Sequence, residues 1–190
     1  DGHSLDDQHC IVSEILPCAF GDALLQLNQL IALHDPVIVL AVGQAGGRAT
    51  FALERVAINL QDAVAGDSAG HQPIDQPVIA CGAAAYFSTL PIKAIVATLR
   101  EQGIPAEVSY SAGTYVCNTV FYGLMHAAST AARPFRAGFV HLPYLPEQAA
   151  YKKAGTPSMA EAVAAQGLRL ALSVALTVKQ DFLLSGGTTH

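Results

Sequence analysis

Tryptophan is absent, methionine occurs only twice, and charged side chains make up 13% of the 190 residues. With a hydrophobic fraction of 52%, so little charge excludes a disordered chain. Basic residues are scarce as well. Ten Lys and Arg stand against fifteen Asp and Glu, and the longest basic run is Lys152-Lys153. Neutralising phosphates needs clusters of Lys and Arg, so neither nucleic acid nor an anionic membrane surface is expected as a partner. The longest apolar stretches, Val37 to Val42 and Leu168 to Val178 with Arg169 inside it, fall short of the about 20 residues that span a bilayer. The chain opens on Asp1-Gly2-His3-Ser4, without the basic, apolar and small-residue succession of a secretory signal. Cys10, Cys18, Cys81 and Cys117 form no Cys-x-x-Cys pair and no even ladder, which excludes a zinc knuckle and a disulfide scaffold and suits a reducing cytoplasm. His3, His9, His34, His71, His126 and His190 show neither His-x-His nor His-Glu-x-x-His spacing, so no metal and no cofactor are expected.

Repeats, charge blocks and low-complexity linkers are missing too, which leaves one domain over residues 1–190. What is present is alternating periodicity. Phe20, Leu24, Leu27 and Ile31 predict a helix from Phe20 to His34, stopped by Asp35-Pro36. The run Val37 to Val42 predicts a central parallel strand buried on both faces, opening into the loop Gly43-Gln44-Ala45-Gly46-Gly47. Extended from Phe51 to Leu60, the chain places Glu54 on one face with Val56, Ile58 and Leu60. A helix is predicted over Pro91 to Gln102 and a strand over Pro105 to Tyr110. Thr114 is expected to cap a helix running to about Ser129, with Cys117 in its first turn. A short strand follows from Ala137 to His141, and Ser158-Met159-Ala160-Glu161 reads as a capping box opening a last helix to about Val178. Strands alternating with helices predict an α/β fold, a three-layer α/β/α sandwich with a mostly parallel central sheet. Ligands bind such sheets beyond the carboxyl ends of the strands, where the Gly43 loop, Cys117 and His141 converge.

Cys117 is the leading candidate for chemistry. A thiol in the first turn of a helix feels the positive end of the helix dipole, which favours the reactive thiolate. A lone Cys on an apolar helix is otherwise a small core residue. His141, at a strand end, has the chemistry of a general base and acid, or else of a hydrogen-bonded core histidine. Glu54 can hold the imidazole by accepting its N–H, as a triad carboxylate does; the other readings are an ion pair with Arg55 or a solvated strand face. The Gly43 to Arg48 loop could suggest phosphate binding, but it lacks the Gly-Lys-Ser/Thr ending of a P-loop and no helix period follows it. Gln44 in that loop suits a ligand amide instead. Cys10, Cys18 and Cys81 are read as structural.

Four words in order carry a resemblance: Val42-Gly43-Gln44-Ala45-Gly46-Gly47-Arg48, Glu54-Arg55-Val56-Ala57-Ile58-Asn59, Ser111-Ala112-Gly113-Thr114-Tyr115-Val116-Cys117-Asn118, and Gly138-Phe139-Val140-His141-Leu142-Pro143-Tyr144. Over roughly Ile15 to Ala164 the chain resembles the pyroglutamyl peptidase I family of cysteine peptidases. The resemblance implies a metal-free cytoplasmic thiol hydrolase, a homo-oligomer of four subunits, that removes N-terminal pyroglutamate from peptides. It places the catalytic set on Cys117, His141 and Glu54, and the substrate-binding set on Gln44, Tyr115 and Val116. Three departures accompany it. The family's opening strand and its Gly-Phe-x-Pro-Phe-Gly-Gly loop, whose aromatics cover the substrate ring, have no counterpart before Cys10. Val64 and Ala65 stand where an arginine and a proline are usual after Asp-Ala. Thr119 replaces a common histidine, and Cys18 a frequent threonine. These departures leave a second expectation, a catalytically silent relative that binds a small amide ligand.

Overall fold

A computed structural model describes residues 3–187 of the chain. Two short strands, β1 (His3–Ser4) and β2 (Cys10–Ile11), pair antiparallel ahead of the main body. The helix α1 spans Phe20–His34, as its apolar period predicts, and buries Phe20, Ala23 and Leu27. Its first turn is capped from 47 residues away: the buried Asp67 carboxylate accepts the Phe20 N–H at 2.8 Å and also the N–H groups of Ala69 and His71. Asp35 ends the helix in the left-handed region at φ 41°, its N–H returned to the Ile31 carbonyl.

The central sheet has four strands, β3 (Ile38–Gln44), β4 (Phe51–Glu54), β7 (Ala106–Ser109) and β8 (Arg136–Leu142), in the order β3-β8-β4-β7. β3 runs parallel to β8 and β4 parallel to β7, whereas β4 and β8 are antiparallel. The sheet is therefore mostly parallel, with one inverted junction at its middle. Two strand expectations are corrected here. The run from Val37 to Val42 is not a central strand: among the described residues β3 pairs only with β8, and Val42 remains 48% exposed. An apolar run states that a segment gains from burial, but not how many neighbours cover it. The stretch from Phe51 to Leu60 is not one strand either, because it breaks at Arg55 into β4 and β5 (Val56–Ile58). β5 leaves the sheet to pair with β6 (Ala85–Phe87), so Glu54 does not share a strand face with Val56, Ile58 and Leu60.

Helices cover both faces. On one lie α1 and α3 (Val116–Thr130), packing Leu27, Phe121 and Leu124 onto Ala137 and Phe139. On the other lie α2 (Ile92–Glu101) and α5 (Glu161–Thr177), packing Ile95, Leu99 and Ala171 onto Leu53 and Val140. Alternate residues of β8 thus feed opposite cores, as the pleat requires. The buried Asn118 amide fastens the β5 ribbon to α3: its Oδ1 accepts the Ile58 N–H, and its Nδ2 donates to the carbonyls of Ile58 and Leu60. A one-turn helix, α4 (Pro146–Ala149), follows β8.

Neither predicted cap forms. Thr114 turns its hydroxyl to the Asp62 carbonyl at 2.6 Å, and α3 begins after Tyr115 with no side-chain cap. α5 begins after Ala160, also without one, because Ser158 sits two residues too early and bridges to Tyr144 instead. Among the described residues no helix is long and apolar enough to cross a membrane.

Candidate active site

The inverted junction builds the site. Because β4 runs antiparallel to β8, Ala52 lies opposite His141 and Glu54 opposite Phe139. Glu54 and His141 are therefore diagonal neighbours on one face, close enough for direct contact. Glu54 Oε1 and His141 Nδ1 are 2.7 Å apart, and both side chains are buried. An ionised carboxylate only accepts, so Nδ1–H is the donor and Nε2 is the imidazole's remaining acceptor. The Phe139 ring lies 4.8 Å, centroid to centroid, from that of His141 and walls one side of it.

Cys117 arrives from the helix layer. Gly43 on β3 sits in register with His141, and a Cβ added to Gly43 would stand 3.0 Å from Cys117 Sγ and 2.8 Å from Phe139 Cζ. The bare Gly43 backbone thus keeps open the space that the thiol occupies beside the His141 strand. Cys117 is the second residue of α3, where first-turn N–H groups have no intrahelical acceptor, and the Tyr115 cap supplies none from its side chain.

Burial pushes Cys117 up to about 11, the negative charges that Cys18 and Glu54 can carry add to this, and only its own backbone N–H pulls the other way. Burial therefore opposes the helix dipole at Cys117 in the substrate-free protein. The rate of Cys117 alkylation by iodoacetamide is accordingly expected to climb about tenfold per pH unit from pH 7 to 10 without levelling, whereas a free thiol levels off near about 8.5. Peptide mapping by mass spectrometry reads this out, and a plateau below pH 8 would show that the thiolate is preformed.

The other expected site residues fall as follows. Gln44 ends β3 exposed, and its Nε2 donates at 2.5 Å to Gln148 Oε1, which also accepts the Leu145 N–H. Tyr115 packs edge-on against Phe20 at 5.2 Å and donates its hydroxyl to the Gly66 carbonyl at 2.9 Å. Val116 is buried in the core cluster on the α1 and α3 side. The Glu54 to Arg55 ion pair does not form. Arg55 lies over the Tyr110 ring at 5.2 Å, and the cation nearest Glu54 is Arg48, with Nη2 3.5 Å from Oε1. Sequence reasoning assigned no role to Arg48, Phe139 or Gln148. The one available signal was period two in β8, which puts Phe139 and His141 on one face. Cys10, Cys18, Cys81 and Cys117 are all free thiols.

Comparison with known proteins bears on the family and the fold. The family model described as pyroglutamyl peptidase matches residues 1–178. Pyrrolidone-carboxylate peptidases of Yersinia pestis and Yersinia pseudotuberculosis are 53% identical over 180 residues, covering 95% of this chain and 83% of theirs. Among solved structures, pyroglutamyl peptidase I of Bacillus amyloliquefaciens superposes with a TM-score of 0.89 at 43% identity, over 93% of this chain and 83% of that one. Pyrrolidone carboxyl peptidase of Thermococcus litoralis gives 0.82 at 39% identity, over 85% and 75%. Fold and relatives together define a hydrolase of the α/β/α cysteine peptidase class. Within that class, the chain belongs to the pyroglutamyl peptidase family.

Proposed function

We propose that this enzyme hydrolyses the amide bond after an N-terminal pyroglutamate, with Cys117 as nucleophile, His141 as general base and acid, and Glu54 as the group that holds the imidazole. The observation that carries the reading is the buried 2.7 Å bond between Glu54 and His141, on the strand beside the Cys117 thiol. Because burial pushes the Cys117 thiol up, proton transfer to His141 Nε2 accompanies attack of Sγ on the carbonyl carbon that joins pyroglutamate to the next residue. The oxyanion is held by first-turn N–H groups of α3, which Tyr115 leaves uncapped. As the C–N bond breaks, His141 returns the proton to the leaving amine and a pyroglutamyl thioester remains on Sγ. A water deprotonated by His141 then adds to the thioester, releasing pyroglutamate and restoring the thiol.

The ring of pyroglutamate is small, flat and uncharged, and suits a pocket lined by Tyr115 and Val116 with few amide partners. Gln44 can exchange its bond to Gln148 for one to the ring amide. Free thiols support a cytoplasmic setting, and the family resemblance supports self-association, read here as a homotetramer. The test is release of aminocoumarin from its pyroglutamyl derivative under reducing conditions, beside the glutaminyl derivative. The open-chain analogue carries an ammonium that the pocket would desolvate without a partner, so kcat/KM should fall by about a thousandfold or more. Equal turnover of both, or none of either by the folded protein, would overturn the reading.

A further inference from the structure

The glycine loop after β3 has no part in the mechanism so far, yet its geometry is specific. The Ala45 N–H continues the sheet by donating to the Leu142 carbonyl, and the chain then turns sharply, with the Arg48 N–H donating back to the Ala45 carbonyl at 3.3 Å. Gly47 lies in the left-handed region at φ 91°, and Gly46 passes so close to Tyr144 that an added Cβ would meet its hydroxyl. Each of these features would be strained with a larger residue. The outcome is that Arg48 is returned to the sheet face. Its Nη2 lies 3.5 Å from Glu54 Oε1 and donates to the Ser111 carbonyl at 3.4 Å, while Nη1 stands 4.0 Å from Glu107. Ser111 opens the segment that leads into Cys117.

Glu54 needs such a partner. Its side chain is fully buried, Oε1 is shared between His141 and Arg48, and Oε2 has no hydrogen-bond partner. A buried carboxylate left with only a neutral imidazole is poorly compensated, and its rotamer is set by a single bond. Among the described residues Arg48 is the only Lys or Arg within ion-pair distance of Glu54.

We propose that Arg48 is a positioning residue: it holds Glu54 in the rotamer that presents Oε1 to His141, and it joins the glycine loop, the catalytic carboxylate and the segment before the nucleophile. The loop is then a device for returning a guanidinium to the sheet rather than a phosphate cradle. This inference rests on the assignment of Glu54, His141 and Cys117 given above.

The experiment measures kcat and KM separately for the wild type, Arg48→Ala, Arg48→Lys, Glu54→Gln and the double variant. Arg48→Ala is expected to lose about ten- to a hundredfold in kcat with KM little changed, the size of effect that misplacing a catalytic group produces. Arg48→Lys should recover part of it, and millimolar guanidinium ion should raise the Arg48→Ala rate but not the wild-type rate. In the Glu54→Gln background the Arg48 substitution should cost little more, because the two act as one unit. An unchanged kcat, a raised KM alone, or strictly additive losses would overturn the inference. Should the wild type show no turnover, the peptidase assignment fails by itself. The Arg48 inference is still read from the His141 Nδ1 proton resonance, which should move upfield or broaden in Arg48→Ala and return with guanidinium; an unmoved resonance would overturn it.

Discussion

Replacing Cys117 by alanine is expected to abolish release of aminocoumarin from the pyroglutamyl substrate, lowering kcat by about a millionfold, the scale seen when a nucleophile is deleted from a covalent mechanism. Of the other thiols, Cys10, Cys18 and Cys81 are exposed, and none lies in the first turn of α3. Removing one sulfur from a half-buried position leaves the surrounding packing of Val116, Val120 and Phe121 in place, so the fold should survive. Melting of the variant close to the wild type, together with binding of free pyroglutamate, separates lost chemistry from lost structure. The serine variant sharpens the point, because an alcohol of similar size in the same hydrogen-bond setting is a far weaker nucleophile. Turnover retained in Cys117→Ala would remove the thiol from the mechanism.

The second large effect is expected from Glu54→Gln. The amide is nearly isosteric and its Oε1 still accepts the His141 Nδ1–H, but the charge that stabilises the imidazolium formed during attack is gone. If the amide turns its NH2 toward His141 instead, it selects the tautomer that leaves Nε2 protonated and unable to accept the thiol proton. A loss in kcat of about a thousand- to ten-thousandfold is expected on the analogy of a triad carboxylate converted to its amide. KM should change little, since Glu54 is fully buried behind His141 and does not face the solvent side of the site. A kcat within a fewfold of the wild type would show that the imidazole is held by Phe139 and the strand backbone alone.

The two predictions differ in how far they could be read without the fold. Local pattern singled out Cys117 at a helix start and His141 at a strand end, with Glu54 as a carboxylate able to hold the imidazole, and the family words point to the same three residues. The bond between Glu54 and His141 rests on a feature that no local pattern carries, the antiparallel setting of β4 against β8. In a parallel pairing, the end of β4 would lie elsewhere along β8 and the diagonal contact would be lost. Arg48 was invisible for the same reason: its partner is Glu54, reached through a turn whose destination depends on the sheet. Helix position is local, whereas burial, which pushes Cys117 up, is set by the other layers and is not legible in the segment itself.

By itself the amino-acid sequence determined the main helices and several of the sheet strands. The Phe20–His34 helix, the β-branched run of β3, and the alternation in β8 each follow from the spacing of apolar residues, which fixes the face a segment must bury. Tertiary structure alone decided who covers that face. It set β3 at one end of the four-stranded order, moved β5 out of the sheet, capped α1 with Asp67 in place of a neighbour, and bonded Gln44 to Gln148. The physical reason is that periodicity is a property of one segment and its own backbone geometry. Strand order, distant caps and ion pairs are chosen by competition among all segments for the same buried surface and the same hydrogen-bond partners.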